Sequence, residues 1–268
     1  MLLPHLRARP LTIKRHYNGP RSPFEYIKDA PPEIPDWIRR VPLPAKSRRG
    51  APVHYVVVDD VDSLAWLVDF GAIDFHVWTS RADRPDRPDY VLFDLDPAQV
   101  GFADVVRAAR LLREALDGLG LESVPKTTGG EGLHVHVPIG RRYDHAQARS
   151  FANAVAVALR RAAPGLVTTE RSPARRRGVF VDAKMNGHGQ QVVAAYSLRP
   201  LPGAPVATPL RWDEVGQSLD PLAFTPAEVL RRVERDGDLF APVLKGRLKK
   251  QTLPVSVADG RAGTARTS

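Results

Sequence analysis

Two aspartates interrupt an apolar run in the stretch VLFDLDPAQV, residues 91–100. Val91, Leu92 and Phe93 read as a buried strand, and Asp94 and Asp96 follow with only Leu95 between them. Residues i and i+2 of a strand share a face, so the two carboxylates stand side by side. Anions that close repel unless something positive lies between them. Hard oxygen donors at a strand end suit Mg²⁺ or Mn²⁺. Capping of the next helix would explain one carboxylate, not both. A third, Asp182, ends the short apolar stretch GVFVDAKM (178–185). Three strand-borne carboxylates can converge on two metal ions about 3.5–4 Å apart, the arrangement of phosphoryl-transfer sites.

Two further stretches suit an anionic ligand. PKTTGGEGLHVHVPI (125–139) carries Gly129, Gly130 and Gly132, where the backbone can approach a ligand closely and its N–H groups can cradle phosphate oxygens. No Gly-Lys-Ser/Thr follows, so this is not a P-loop. His134 and His136 share a strand face; a half-exposed sheet face would explain the pair, and zinc would need a third ligand. His134, directly after the glycine loop, is the better donor to phosphate. Arg171, Arg175, Arg176 and Arg177 crowd ERSPARRRG, and Arg199 ends the strand beyond. Such a run is usually a solvated face, but Arg175 and Arg199 are placed to turn back toward the carboxylates and pair with a triphosphate.

The elements that must position these residues alternate between strand and helix. VHYVVV (53–58) and DFHVWTS (74–80) read as strands, separated by a helix over 62–72 with Asp62 or Ser63 as N-cap and Gly71 near its end. RADRPDRPD (81–89) reads as a polar loop. Residues 102–120 form an amphipathic helix with Val105, Ala109, Leu112, Leu116 and Leu119 on one stripe. GLHVHVPI (132–139) alternates as a strand, and 145–163 is a second helix stopped by Pro164. Strands over 178–185 and 191–198 are joined by NGHG as a hairpin turn. Residues 226–236 form a late helix. The fold class is therefore mixed α/β, with one catalytic domain over 1–244 and a polar tail without fixed structure over 245–268.

Composition narrows the function classes. The chain has 268 residues, 43% apolar, with 39 Lys plus Arg against 30 Asp plus Glu and a net charge of +9. A basic balance favours a polyanion partner, nucleic acid above all. With no cysteine there is no disulfide and no thiolate zinc site. No apolar run reaches the ~18 residues of a membrane span, and the N-terminus lacks a secretory core. A cytoplasmic setting is expected.

FDLD after an apolar run resembles the opening motif of haloacid-dehalogenase-like phosphatases, but Pro97-Ala98 replaces that motif's Gly-Thr. A broader resemblance covers about Leu3 to Val233. LLPHLRARPLT, IKDAPPEIPDW, LVDFGAIDFHVWTSR, RPDYVLFDLDP, PKTTGGEGLHVHVP and VFVDAKMNGHGQQVVAAYSLRP resemble, in order, the polymerase domain of bacterial DNA ligase D, within the archaeo-eukaryotic primase superfamily. That resemblance implies a primase-type fold of mixed sheets flanked by helices. It implies template-directed transfer of nucleotides from NTPs, ribonucleotides preferred, to a primer 3′-hydroxyl with two Mn²⁺ or Mg²⁺ ions. The setting it implies is bacterial end joining, with Ku and a DNA ligase as partners and the nucleoid as workplace. By resemblance Asp94, Asp96 and Asp182 are the catalytic metal ligands. His76, Lys126, Thr128, Gly129, Gly130, His134, Arg175 and Arg199 face the nucleotide, and Lys14, Arg21, Tyr26 and Lys28 face DNA.

The departures are specific. Glu131 stands where the family has Lys, and Met185 where Arg or Gln is common; Lys126 or Lys184 is the expected compensator. The family's N-terminal segment, which helps bind a downstream 5′-phosphate, does not precede Leu3; a mis-chosen start, a truncation, or a stand-alone member lacking that recognition would each explain it. Without ligase or nuclease domains, the expectation is a stand-alone relative or an excised domain. Rival readings are a catalytically weak DNA-end-binding module, a nuclease or phosphatase on the same carboxylates, and a primase that starts without a primer.

Overall fold

The computed structural model describes residues 1–19, 22–44, 51–245 and 251–254. Among them, an antiparallel sheet and a mixed sheet face each other across the candidate site. The first contains β1 (Leu11–His16), β2 (Phe24–Ile27), β3 (Arg40–Pro44), β4 (Pro52–Val56), β5 (Ala72–Trp78) and β13 (Gln191–Val193), in the order β13-β5-β1-β4-β3 with β2 also on β1. The second contains β8 (Tyr90–Ala98), β9 (Val124–Thr127), β10 (Leu133–Pro138), β11 (Val167–Thr168) and β12 (Gly178–Val181), in the order β11-β12-β8-β10-β9, with β11–β12 as its one parallel pair. No helix among the described residues is long and apolar enough to cross a membrane.

β8 is central because it is apolar on one face and chemical on the other. Val91, Phe93 and Leu95 are fully buried. Phe93 meets Phe151 of α4 (His145–Ala162) edge-on at 6.2 Å. α3 (Phe102–Gly118) packs beside α4 and against β8 with Val105, Ala109, Leu112 and Leu116 buried. Leu119, expected on that stripe, lies beyond the last helical turn and is 40% exposed. α4 begins on a reciprocal cap between Asp144 and Gln147. α5 (Pro226–Asp236) begins on Thr225 and ends at Gly237, whose φ of 72° suits glycine.

Several sequence expectations are corrected. α2 (Val61–Asp69) is capped by Asp60, whose carboxylate accepts from Ser63 N, rather than by Asp62 or Ser63. The expected loop 81–89 holds a two-stranded ribbon, β6 (Ser80–Arg81) and β7 (Arg84–Pro88). β12 and β13 do not form a hairpin. They belong to different sheets, and a 3₁₀ turn over Ala183–Asn186 carries the chain across. The expected strand 191–198 stops at Val193, because Ala194 to Ser197 turn away, with Tyr196 at φ 67°. In the tail, residues 251–254 are packed: Leu253 is 1% exposed, and Gln251 donates to Glu122 O and Pro138 O at 3.0 and 3.1 Å. Residues 246–250 and 255–268 lie outside the described residues.

Candidate active site

β8 runs through both aspartates rather than ending at them. β12 supports its far half, with Phe180 opposite Asp96 and Val181 opposite Leu95. β10 supports the other edge and sets His134 opposite Asp94. The face holding Asp94, Asp96 and His134 looks across a cavity of about 410 Å³ toward His76 of β5 and Val193 of β13. Where β12 stops, the chain continues the pairing by other means. Asp182 N donates to Asp94 O at 3.1 Å. Asn186 then replaces the missing strand, accepting from Leu92 N at 2.8 Å and donating to Leu92 O at 2.7 Å. Asn186 gave no sign in the sequence, since its role depends on a strand nearly a hundred residues away.

Crowding and burial raise the proton affinity of Asp94 and Asp96. Burial pushes the Asp94 carboxyl well above its ordinary range, and the charge of Asp182 pushes it further. Asp96 is pushed up by burial, then by Asp94 and Asp182, with Glu131 adding to the effect and Arg176 opposing it. His134 Nε2 lies 3.2 Å from Asp94 Oδ1, yet that oxygen is buried without an aligned hydrogen bond. An orphaned buried oxygen amid crowded anions is costly unless a cation joins it. The donor set therefore fits a hard divalent ion. Among the described residues no three acidic or imidazole side chains are placed to hold a metal ion together, and Asp182 borders a neighbouring groove rather than the cavity that Asp94 and Asp96 line. Asp182 turns its Oδ1 to its own 3₁₀ turn, accepting from Lys184 N at 2.9 Å.

The glycine loop is tied by Thr128. Its Oγ accepts from Gly130 N and Gly132 N and donates to Gly132 O, all at 3.2 Å. Arg199 Nη1 donates to Thr128 O at 2.8 Å and crosses Gly129, where a Cβ would stand 2.6 Å from Arg199 Cγ. Thr128, Gly130, Glu131, Met185 and Arg199 line the cavity, with Gln191 on the far wall.

Not every expected residue joins them. Lys126 is fully buried; its Nζ donates to Thr127 O, and burial with the nearby Arg199 charge lowers it to about 7. It does not line the cavity where Glu131 stands. Lys184 lies on the outer surface beside Asp182. Arg175 pairs with Glu170 at 3.2 Å and lines a separate groove with Arg160, Arg161 and Arg177. Arg176 instead lies over the Phe180 ring at 3.6 Å and is the arginine of that run whose charge reaches Asp96. The His134/His136 face is buried rather than half-exposed: His136 packs on Tyr90 and Phe240. Burial also drives both imidazoles well below the ordinary histidine range.

Of the expected DNA-facing residues, Tyr26 is 51% exposed and donates its hydroxyl to Gln191 Oε1 at 3.0 Å, beside exposed Phe24. Lys14 turns inward, its Nζ 3.1 Å from Asp74. Lys28 is half-buried, and Arg21 lies outside the described residues.

Paired aspartates on a central strand, opposite an arginine and a glycine loop tied by Thr128, fit a nucleotidyltransferase of the primase-polymerase class. The family described as LigD, primase-polymerase domain, matches residues 1–240. The chain belongs to that family. It is 34% identical over 251 residues to the multifunctional non-homologous end joining DNA repair protein LigD of Mycobacterium tuberculosis, covering 90% of this chain and 32% of that protein. It is 31% identical over 242 residues to the bifunctional LigD of Bacillus subtilis, covering 89% and 38%. The chain thus spans about a third of the length of these relatives. Its fold matches the polymerase domain of M. tuberculosis ligase D solved in complex with DNA, with TM-score 0.82, 32% identity, and 90% and 86% of the two chains covered.

Proposed function

We propose that this chain extends primers and fills short gaps in DNA, taking nucleotides from NTPs, in bacterial end-joining repair alongside Ku and a ligase. The crowding of Asp94 and Asp96 on one strand face, opposite His76 and Arg199, carries this reading. Asp94, Asp96 and Asp182 would hold two Mg²⁺ or Mn²⁺ ions, which would activate the primer hydroxyl and neutralise charge on the phosphates. Arg199, His76, His134 and the Thr128–Gly130 loop would bind and orient the triphosphate. Exposed Phe24 and Tyr26 would stack on template bases beside the cavity. The family resemblance supports a preference for ribonucleotides.

Primer extension on a labelled, gapped duplex with Mn²⁺ tests this, comparing rNTPs with dNTPs and including a primer-free control. Templated lengthening is expected, lost in Asp94→Ala while DNA binding is nearly retained, because chemistry rests on the carboxylates and affinity on the basic surface. Full activity in Asp94→Ala would sink the assignment. Shortened primers would mean a nuclease, and products without primer a primase. One observation favours the weaker reading of a DNA-end-binding module: Glu131 adds an anion to the cavity where the family has a cation. DNA binding without turnover would support it.

A further inference from the structure

The geometry points to Asp74 as a positioning residue that fixes His76 and Arg199 against the nucleotide and links them to Lys14. This rests on reading the cavity as the nucleotide site. Asp74 lies on β5, two residues before His76 and so on the same strand face. Its side chain is fully buried. Two cations and an imidazole from three parts of the chain meet it: Lys14 Nζ at 3.1 Å, His76 Nε2 at 3.0 Å and Arg199 Nε at 3.3 Å. These are ion-pair contacts by distance; neither carboxylate oxygen accepts an aligned hydrogen bond.

A buried ion cluster that serves only the fold is the plain alternative. Two features argue for more. His76 and Arg199 both line the cavity, so the same groups that neutralise Asp74 present their other edges to it. Arg199 is also held from the opposite side, through Thr128 O and the cleft left by Gly129. A long flexible guanidinium pinned at both ends loses little freedom when a triphosphate arrives, which is the basis of tight, oriented binding. Lys14 brings the strand paired with β2 into the same cluster, since Lys14 stands opposite Tyr26. Its ammonium lies 5.1 Å from the Phe24 ring. Asp74 thereby connects the nucleotide wall to the exposed aromatic strand.

The test is Asp74→Asn, which keeps the shape and removes the charge. ATP with Mn²⁺ would be titrated calorimetrically, and KM and kcat for ATP measured on a gap with a templating dT. Asp74→Asn should raise both the Kd and KM for ATP about tenfold or more, as expected for loosening charge-assisted contacts. kcat and DNA affinity should move much less. On an Arg199→Ala background the same change should have little further effect, because the residues act as a unit. Unchanged ATP affinity with a lowered Tm would overturn the inference and leave Asp74 a fold residue. If Asp74→Asn does not fold, His76→Ala, Arg199→Ala and the double variant carry the test. Their ATP-binding losses should fall short of additive, and strict additivity would overturn the inference. A wild-type protein that neither binds ATP nor extends primers would sink the nucleotide-site reading itself, and this inference with it.

Discussion

Gly132→Ala isolates how Asp96 is held. Gly132 has no left-handed backbone, so alanine is acceptable there on conformational grounds. Space is the obstacle: a Cβ would stand 2.8 Å from Leu95 O and 2.9 Å from Asp96 Oδ1. Ordinary contact begins near 3.4 Å, so each neighbour must give by roughly half an ångström. Leu95 is fixed by the β8–β10 ladder, where it faces Leu133. The strain therefore passes to the Asp96 side chain and to the loop tied by Thr128. Overpacking of this kind costs about 1–3 kcal/mol, or a few degrees of Tm in a chain this size. Misplacement by 1 Å can cost about a hundredfold in rate, so half that shift should lower kcat about tenfold. The assay pairs single-turnover primer extension with a thermal melt. Gly118→Ala is the control, since a Cβ at that helical position meets nothing within 4 Å and should be neutral to stabilising. Gly132→Ala with full kcat and an unchanged Tm would refute the claim that this contact sets Asp96.

Other expected outcomes follow from the same geometry. Glu131→Lys should lower the KM for NTP about fivefold, the effect fading as salt rises, because the exchange of an exposed charge is worth on the order of 1 kcal/mol; an unchanged KM would mean that Glu131, though it lines the cavity, does not act on the triphosphate. Asn186→Ala should cost about 2–4 kcal/mol in urea unfolding, since it strands Leu92 N and O inside the protein. An acid limb of unfolding is expected from Asp74. Burial pushes its carboxyl up, but His76, Arg199 and Lys14 outweigh this and hold it at about 2 rather than 3.8. A carboxyl depressed in the folded state contributes stability above the unfolded value and loses it as pH falls from about 4 through about 2. The contribution, on the order of 2 kcal/mol, should be missing from Asp74→Asn in acid titrations followed by circular dichroism.

What the sequence determined by itself was local. The pairing of Asp94 with Asp96 was legible because strand geometry puts i and i+2 on one face. The end of α4 was legible because Pro164 acts on its own neighbours, and the span of α5 from its own local pattern. The ordered motifs of the family also survive in sequence, so class and family could be read from them. Tertiary structure decided the rest, because burial and pairing depend on partners far away in the chain. Lys126 looks like a phosphate ligand beside its glycine loop, yet the fold covers it completely. Arg175 and Arg176 are neighbours, and only the path of the chain into β12 decides which one reaches Asp96. NGHG has the composition of a hairpin turn, but the flanking strands find different sheets. Asp74 reads as an ordinary strand-opening aspartate. Its cluster forms only when β1, β5 and the segment after β13 meet, bringing Lys14, His76 and Arg199 to one buried carboxylate.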